Sequence, residues 1–383
     1  PMEIPEGFLF SAVASGIRKK GRLDLGLIFC REKGVSWGVF TKNSIKASPV
    51  IIGKKHIKNP TTRAILANSG IANACTGKEG IERAERILKA LSEKLSIKTE
   101  EILPASTGVI GEQLPEDKII SHLPELIERL SPSGYTDFAQ AIMTTDTFPK
   151  MVSRVTKDGV VLLGIAKGAG MIAPNMATML AFVLTDGRLA KEDLKDLLLK
   201  GVEESFNRIT VDGDTSTNDT VYALSSQKRE IKDWKEFTEK FKEVLYELSK
   251  MIVKDGEGAS KVIKIMVKGA KTKEEAKRLS MAVANSPLVK TAFYGEDPNW
   301  GRIMASLGKT EIPLNPEEIE IYLNGIPWII NLKPISEEEV LKREMRKSEL
   351  SLLIRLKRGK QSYWVLTCDL TEDYIRINAS YRS

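Results

Sequence analysis

Amphipathic helix patterns and short apolar runs are mixed along this chain, and the mixture limits the fold more than any other feature. Apolar residues recur at helical spacing in three long stretches, residues 79–94, 190–206 and 233–253. Runs typical of strands lie at 159–166, 179–185, 262–269, 350–359 and 362–370. No sustained strand–helix–strand rhythm is present, so the pattern predicts mixed α/β layers and not a doubly wound dinucleotide fold.

Local signals refine this prediction near the C-terminal end. The last two strand-like runs meet at Gly359-Lys360-Gln361, a spacing that favours a C-terminal β-hairpin. Thr272 with Glu275 has the spacing of a capping box at the start of a helix. Ser336 with Glu339 has the same spacing, and we expect a second capped helix there.

The length of 383 residues predicts two core-forming units, or one large layered domain with an appendage. No stretch approaches the ~20 apolar residues of a membrane-spanning helix. In the first 22 residues the acidic side chains precede the short apolar run and the basic ones follow it, which is not the order of a signal peptide. We therefore expect a cytoplasmic protein.

The net charge of +7 is spread along the chain, with lysine and glutamate interleaved on helical stretches. This distribution is typical of solvated helix faces. A nucleic-acid-binding protein would show a basic stripe with interleaved aromatic residues, and the sequence has none. We expect neither a nucleic acid nor a membrane as a partner.

Histidine and cysteine are too few and too scattered for several common kinds of catalytic site. The two histidines, His56 and His122, have no serine or cysteine motif, carboxylate pattern or second histidine near them. A Ser-His-Asp triad, a Cys-His pair or a histidine-ligated zinc is therefore poorly supported. The three cysteines are far apart, which fits a reducing compartment. We expect no metal and no bound cofactor.

Seven segments are unusually dense in glycine, threonine and asparagine, where a core helix or strand would not contain them. They are residues 67–77, 104–115, 143–150, 167–180, 210–220, 255–261 and 295–303. Segments of this composition place backbone N–H groups and short hydroxyls around a small substrate. The chain therefore has the loops of a small-molecule site.

Thr178 stands where a glycine- and proline-containing segment runs directly into an apolar strand. A threonine held there after a tightly turned backbone can attack its own preceding carbonyl by an N-to-O acyl shift. Hydrolysis would free an α-amine of ordinary pKa ~7.7–8.0, a base that needs no histidine. From the local sequence alone, a simple strand-edge hydroxyl remains the favoured interpretation.

The same segments, taken in order, resemble the ornithine acetyltransferase family, also called glutamate N-acetyltransferases. The motifs that carry the resemblance are ANSGIANACTG, STGVIGEQLP, TTDTFPK, KGAGMIAPNMATML, DGDTSTNDT and DPNWGRI, which extend over nearly the whole chain. These enzymes of arginine biosynthesis cut themselves. The resemblance implies an α-β-β-α sandwich like that of N-terminal nucleophile hydrolases, with a smaller C-terminal α/β domain from about residue 270.

Matching the family motifs residue by residue implies the catalytic roles. Cleavage between Ala177 and Thr178 would leave residues 1–177 as an α subunit and residues 178–383 as a β subunit, with Thr178 as nucleophile. Thr107 and Gly108 match the pair that forms the oxyanion hole. The family also implies an α2β2 heterotetramer.

Substrate-binding roles follow from the same resemblance. Thr144, Lys167, Thr178 and Glu257 match substrate-contacting positions, and Thr145 competes with Thr144 for its role. Lysine suits the carboxylate of an amino acid, and glutamate suits its ammonium group.

At the C-terminus, Asn378 and Ser383 match the remaining substrate-binding positions of the family. Ser383 stands where the family has a threonine and so keeps a hydroxyl, whereas Arg382 replaces a threonine. Of the residues with an implied binding role, Ser383 is the one that departs from the family's residue type.

The implied reaction moves an acetyl group from N2-acetyl-L-ornithine to L-glutamate through an acetyl ester on Thr178. One alternative is a bifunctional enzyme that also takes acetyl-CoA as a co-substrate. A second is a self-processing amidase or aminopeptidase, in which water is the acceptor. A third is a binding protein for small amino acids that retains the pocket without catalysis.

Overall fold

The structure is a computed structural model that describes residues 2–171 and 179–380. The described chain divides into two compact units. One comprises the chain up to Asn207 together with Asp214–Ile252, and the other comprises Arg208–Gly213 together with residues 253–380. None of the helices in the described ranges is both long enough and apolar enough to cross a membrane.

In the described residues of the first unit, eight strands form one hydrogen-bonded sheet. Its strands are β1 (Phe8–Val13), β2 (Leu25–Phe40), β3 (Thr62–Asn68), β4 (Ile102–Ser106), β5 (Lys150–Val155), β6 (Val161–Lys167), β7 (Leu180–Arg188) and β8 (Thr220–Glu230). The order is β4-β3-β2-β8-β7-β6-β5, and β1 also pairs with β2. The accompanying helices are α1 (Ser48–His56), α2 (Gly77–Leu95), α3 (Glu116–Glu128), α4 (Tyr135–Ala141), α5 (Lys191–Glu203) and α6 (Trp234–Lys254).

The length of β2 divides this sheet into two halves. Its first part pairs with β1 and β3, and its second part pairs with β8. Buried residues from both halves, such as Ile65 of β3 and Phe182 of β7, belong to a single apolar core. The two halves therefore face each other across that core.

Helices cover the outer faces of both halves because successive strand residues point to opposite sides. In β3, Ala64 and Leu66 pack in a second core with α2 and α3. In β6, Gly164 lies under α6, where an added Cβ would come within 2.5 Å of Val244 and 2.6 Å of Leu248. The expected α-β-β-α layers are thus confirmed, and the amphipathic stretches at 79–94, 190–206 and 233–253 form α2, α5 and α6.

The second unit contains a six-stranded mixed sheet within its described residues. Its strands are β9 (Val262–Ala270), β10 (Glu320–Leu323), β11 (Ile326–Ile330), β12 (Lys333–Pro334), β13 (Glu349–Arg355) and β14 (Gln361–Cys368), in the order β12-β11-β10-β13-β9-β14. Its helices are α7 (Lys273–Ala284), α8 (Pro287–Tyr294), α9 (Trp300–Gly308), α10 (Glu338–Met345) and α11 (Glu372–Ser380). Short 3₁₀ helices lie at Thr99–Glu101, Phe206–Arg208 and Pro316–Glu318.

The predicted C-terminal hairpin is wrong. Although β13 and β14 are consecutive strands, β9 lies between them, parallel to β13 and antiparallel to β14. The connection crosses the end of β9, where Leu356 N–H donates to Lys268 O at 2.8 Å and Arg358 N–H donates to Gly269 O at 2.9 Å. The turn residues were identified correctly, but local spacing does not show that an earlier strand lies between the two.

The two predicted helix caps have different outcomes. Thr272 accepts a hydrogen bond from Glu275 N–H at 3.0 Å and caps α7, as predicted. The second prediction is wrong, because α10 begins at Glu338 without a side-chain cap. The Ser336 hydroxyl donates instead to Pro327 O of β11 at 2.6 Å.

Tyr222 of β8 connects the two halves of the first sheet, because its buried hydroxyl donates to Pro104 O of β4 at 2.7 Å. We expect Tyr222→Phe to lower the free energy of unfolding by about 1–3 kcal/mol, because it leaves a buried carbonyl without its donor. Urea unfolding measures the change. The exposed Tyr294→Phe is the control and should change stability by less than about 0.5 kcal/mol. Equal effects in both variants would contradict the connection.

Candidate active site

Lys167, at the last position of β6, lies in the middle of a buried polar group in the first unit. Its side chain is only 2% exposed. The ammonium Nζ donates to Thr107 Oγ1 at 3.0 Å and to Thr144 Oγ1 at 2.8 Å. Thr107 directly follows β4, and Thr144 lies in the loop between α4 and β5. Three segments that are far apart in sequence therefore meet at one cation.

Asp146 provides the negative charge of this group. Its Oδ2 accepts from Lys150 Nζ at 2.6 Å, and its Oδ1 lies 4.0 Å from Lys167 Nζ. The same carboxylate accepts backbone N–H bonds from Gly168 at 2.9 Å and from Thr144 at 3.1 Å. It therefore orients both the lysine and the loop that carries the threonine.

The ionisation of Asp146 depends on these partners. Burial alone would raise the pKa of this carboxyl, but the charges of Lys167 and Lys150 and the Gly168 N–H bond outweigh burial and lower the pKa to about 2. Asp146 is therefore ionised at neutral pH. Two lysines and one ionised aspartate give the group a formal charge of +1, which favours the binding of an anion.

Gly108 forms a close backbone contact beside Thr107. Its φ is +133°, and an added Cβ would lie 2.2 Å from the carbonyl carbon of Gly70. Thr107 N–H donates to Asn68 O at 3.0 Å and Val109 N–H donates to Gly70 O at 3.1 Å. Between them, the Gly108 N–H donates to no acceptor in the described part of the chain. The loop thus presents one backbone donor next to the Thr107 hydroxyl.

Strand register places the start of β7 beside this group. Lys167 pairs with Leu180, and Leu180 pairs with Thr220 at the start of β8. Met179 N–H, directly before β7, donates to Asp219 Oδ1 at 3.0 Å. The predicted cleavage residues Ala177 and Thr178 lie outside the described residues, but the chain that follows them begins next to Lys167.

Two more predicted residues meet in the second unit. Glu257 is 7% exposed, and its Oε1 accepts a hydrogen bond from Asn378 Nδ2 of α11 at 3.1 Å. Gly258 allows this approach, because an added Cβ would lie 2.6 Å from Tyr374 N. Ser383 lies outside the described residues. The predicted residues Glu257 and Asn378 of this unit thus form a carboxylate–amide pair near the end of the C-terminal helix.

Comparison with known proteins identifies the family. A model of the ArgJ family matches residues 9–383. The "Arginine biosynthesis bifunctional protein ArgJ" of Desulfotalea psychrophila is 45% identical over the full length of both chains. The chain belongs to the ArgJ family. The protein of the same name from Thermotoga neapolitana is 41% identical, again over the full length of both chains.

A solved structure agrees with this assignment. The crystal structure of the arginine biosynthesis bifunctional protein ArgJ from Bacillus halodurans is 37% identical, with a TM-score of 0.50. It matches 52% of this chain and 98% of its own. Membership of the family confirms the resemblance found in the motifs, and with it an acetyltransferase of arginine biosynthesis.

The structure groups the predicted residues into two sets. Thr107, Thr144 and Lys167 meet in the first unit, and Gly108 adjoins them. Of the two candidates Thr144 and Thr145, it is Thr144 whose hydroxyl accepts a hydrogen bond from Lys167. The histidines lie elsewhere: His56 Nδ1 is 2.7 Å from Ile102 O, and His122 Nδ1 is 2.7 Å from Lys118 O. Within the described ranges, no three His, Cys, Asp or Glu side chains are grouped to hold a metal ion.

Sequence analysis missed four buried residues of the first unit: Asp146, Lys150, Asn218 and Asp219. All four lie in the segments singled out as rich in small polar residues, so the segments were found but the individual side chains were not. A lysine four residues after an aspartate was the available signal for the first pair. That spacing is common on protein surfaces, and only the structure shows that both side chains are buried.

Asp146→Asn tests the charge balance of the site. The substitution leaves two buried lysines without their carboxylate, and we expect it to lower the free energy of unfolding at pH 7 by about 3–5 kcal/mol. The pKa of Asp146 is lower in the folded chain than its ordinary 3.8. The stabilisation from its ionisation is therefore complete above about pH 4 and is lost as the pH falls through about 2.

Denaturant unfolding of wild type and Asp146→Asn between pH 7 and pH 2 measures this dependence. The difference between the two proteins should shrink by roughly 2 kcal/mol toward pH 2. Asp158→Asn, at an exposed position, is the control and should change stability by less than about 0.5 kcal/mol. A difference that stays constant over this pH range would show that Asp146 does not act through its charge.

Gly108→Ala tests the backbone donor beside Thr107. The added methyl group meets Gly70 backbone, so the loop must move and its N–H must turn away. We expect kcat for acetyl transfer to fall by about 10²–10³-fold, as when one oxyanion donor is lost. The control is Gly111→Ala, which also has positive φ but has no atom within 4 Å of the added Cβ. If both variants lose activity equally, the close contact at Gly108 is not the cause.

Proposed function

We propose that this chain transfers an acetyl group from N2-acetyl-L-ornithine to L-glutamate through an ester on Thr178. The products are L-ornithine and N-acetyl-L-glutamate. The observation that supports the proposal most directly is the buried contact of Lys167 with Thr107 and Thr144, in a chain of the ArgJ family. This contact brings a cation, two hydroxyls and an adjacent glycine N–H together at the end of β6, the strand that pairs with β7.

The Thr107 hydroxyl is well suited to stabilise an oxyanion. An ammonium group can only donate hydrogen bonds, so Thr107 Oγ1 must be the acceptor in its contact with Lys167. The hydroxyl hydrogen is thereby left to donate elsewhere, and the nearby positive charge makes it a stronger donor. Together with the Gly108 N–H, it provides the two donors that a tetrahedral intermediate requires.

In the first half of the reaction, the Thr178 hydroxyl attacks the acetamide carbon of acetylornithine and its proton passes to the Thr178 α-amine. The tetrahedral intermediate then collapses. The carbon–nitrogen bond breaks, the leaving amine takes the proton, and ornithine departs. An α-amine has an ordinary pKa of ~7.7–8.0, so it serves as this base at neutral pH.

In the second half, the amine of glutamate attacks the acetyl ester. The carbon–oxygen bond to Thr178 breaks, and its oxygen recovers a proton. Because the two amino acids use one pocket in turn, the kinetics should be ping-pong. Water must be kept away from the ester, since hydrolysis would release acetate instead.

The charges of the described residues fit an amino-acid substrate. The net positive charge of the Lys167, Lys150 and Asp146 group suits a substrate carboxylate. In the second unit, the Glu257 carboxylate, which Asn378 holds in place, has the charge that suits an ammonium group. Thr144 and Ser383 complete the proposed substrate contacts.

Self-cleavage between Ala177 and Thr178 is part of the proposal because it creates the α-amine. The solved chain from Bacillus halodurans supports it indirectly. The match covers 98% of the solved chain but only 52% of the present one, so the solved chain is about half as long. This is the size expected of one subunit after a cut near the middle.

The assembly and location are also proposals. We infer an α2β2 heterotetramer of the two fragments, with no cofactor beyond the substrates. All three cysteines, including the exposed Cys75, are unpaired, which fits the reducing conditions of the cytoplasm.

A second activity is favoured by the names of the relatives. The proteins that are 41% and 45% identical over the full chain are called bifunctional. We propose that acetyl-CoA serves this chain as a second acetyl donor to glutamate. Incubation with acetyl-CoA and glutamate tests this directly, and formation of no N-acetylglutamate above the rate without enzyme would restrict the chain to transfer from acetylornithine.

Intact-mass analysis and a transfer assay on the purified protein test the main proposal. We expect two fragments of 177 and 206 residues and formation of N-acetylglutamate from acetylornithine and glutamate. Thr178→Ala should give one uncut chain and no transfer, because it removes the attacking hydroxyl. Thr185→Ala, at a buried threonine on β7, is the matched control and should still be cut.

Three results would contradict the proposal. An active wild-type chain that is uncut would exclude an N-terminal nucleophile. Steady acetate release that is independent of glutamate would indicate an amidase. Binding of ornithine without turnover would indicate a binding protein.

A further inference from the structure

Asn218 and Asp219, the two residues before β8, are buried and occupy a special place in the first unit. Asn218 Nδ2 donates to Ser106 O at 2.8 Å and to Ala72 O at 2.6 Å. Ser106 directly precedes Thr107. Asn218 therefore holds the backbone from which the oxyanion residues Thr107 and Gly108 continue.

The neighbouring side chain holds the other end of the site. Asp219 Oδ1 accepts from Met179 N–H at 3.0 Å, and Thr220 N–H donates to Met179 O at 3.2 Å. The nitrogen of Met179 is bonded covalently to the carbonyl carbon of Thr178. Asp219 and Thr220 therefore hold the backbone of the residue that directly follows the proposed nucleophile.

The orientation of Asn218 is determined by its surroundings. Its Oδ1 accepts from the Thr217 hydroxyl at 2.7 Å, so the amide nitrogen must face the two carbonyls. Its backbone N–H donates to Ser216 Oγ at 3.0 Å. Asp219 is also held through its backbone, because its carbonyl accepts from Thr41 N–H at 2.9 Å. Both side chains therefore project from a fixed backbone.

Asp219 occupies this position at an energetic cost. It is fully buried, and its Oδ2 has no hydrogen-bond partner in the described part of the chain. Burial raises the pKa of Asp219 well above its ordinary value, despite the Met179 N–H bond, the Ser216 hydroxyl and the charge of Lys167. A buried acid with one unpaired oxygen lowers the stability of the fold. Such a group is expected where function requires it.

We propose that Asn218 and Asp219 are positioning residues that together set the distance between the backbone that carries the oxyanion donors and Met179, the residue that directly follows the proposed nucleophile. Because they are consecutive, their Cα atoms are 3.8 Å apart, and this short backbone connects two segments that are far apart in sequence. This inference rests on the proposed function. A displacement of about 1 Å between a nucleophile and its oxyanion donors costs about 10²-fold in rate.

Three substitutions test the pair. Asn218→Ala removes both bonds to the Ser106 and Ala72 carbonyls, and Asp219→Ala removes the acceptor of Met179 N–H. Each should lower kcat of the cleaved enzyme by about 10²-fold and leave KM within about threefold, because substrate contacts are unchanged. Each should also slow cleavage of the precursor. Asp219→Asn keeps an acceptor oxygen of the same shape and should recover most of the loss.

Asp186→Asn is the matched control. Asp186 is equally buried and accepts backbone bonds from Glu6 at 3.0 Å and Val161 at 2.9 Å, but it lies toward the other end of β7. We expect this variant to lose stability while its kcat stays within about threefold of wild type. Circular dichroism and thermal unfolding identify folded variants, and kcat is compared among those only.

The outcomes separate this inference from the function on which it rests. Suppose that the wild type cuts itself and transfers acetyl. If folded Asn218→Ala and Asp219→Ala then have the same kcat as Asp186→Asn, the positioning role is overturned while the proposed function stands. If Asp219→Ala does not fold, Asn218→Ala and Asp219→Asn decide the question in the same way. A wild type that neither cuts nor transfers would refute the proposed function, and the inference with it.

Discussion

The ion group of Lys167, Asp146 and Lys150 is the interaction on which the rest of the candidate site depends. Removing these charges from water costs several kcal/mol per ion, and that cost is offset only while every partner is present. Asp146 pairs with both lysines and also accepts the N–H groups of Gly168 and Thr144. One carboxylate therefore determines the position of the Lys167 cation, of the loop that carries the Thr144 hydroxyl and of the chain leaving β6.

The sandwich makes this group possible because several strands start or end at the same edge. β4 ends at Ser106, β6 ends at Lys167, and β7 and β8 begin at Leu180 and Thr220, which pair with each other. Beyond the strand ends, short polar side chains such as those of Asn218 and Asp219 make the hydrogen bonds to backbone groups that a neighbouring strand would otherwise make. The site is thus built mainly from backbone groups held by side chains, and its precision comes from the regular register of the sheet.

The sequence predicted the layers and many segments of the site, but it did not predict partners that are distant along the chain. Helical periodicity located α2, α5 and α6 because each buries one continuous apolar face. The hairpin was wrong because β9, which is far earlier in the chain, lies between its two strands. The Ser336 cap was wrong because its hydroxyl bonds Pro327 O on β11 instead of the helix. Family motifs indicated Lys167 for the same site, whereas Asp146 and Asp219 matter through burial, which a sequence pattern does not show.

The position of β9 between β13 and β14 in the second sheet has a consequence for the order of folding. Both of its neighbours, β13 and β14, are made about 80–100 residues later than β9 itself. Until the last part of the chain is available, β9 has two unpaired edges and an apolar face, the condition that promotes association between chains. The second unit therefore depends on its C-terminal strands for protection as well as for stability, and loss of β13 would also separate β9 from β10 and the strands beyond it.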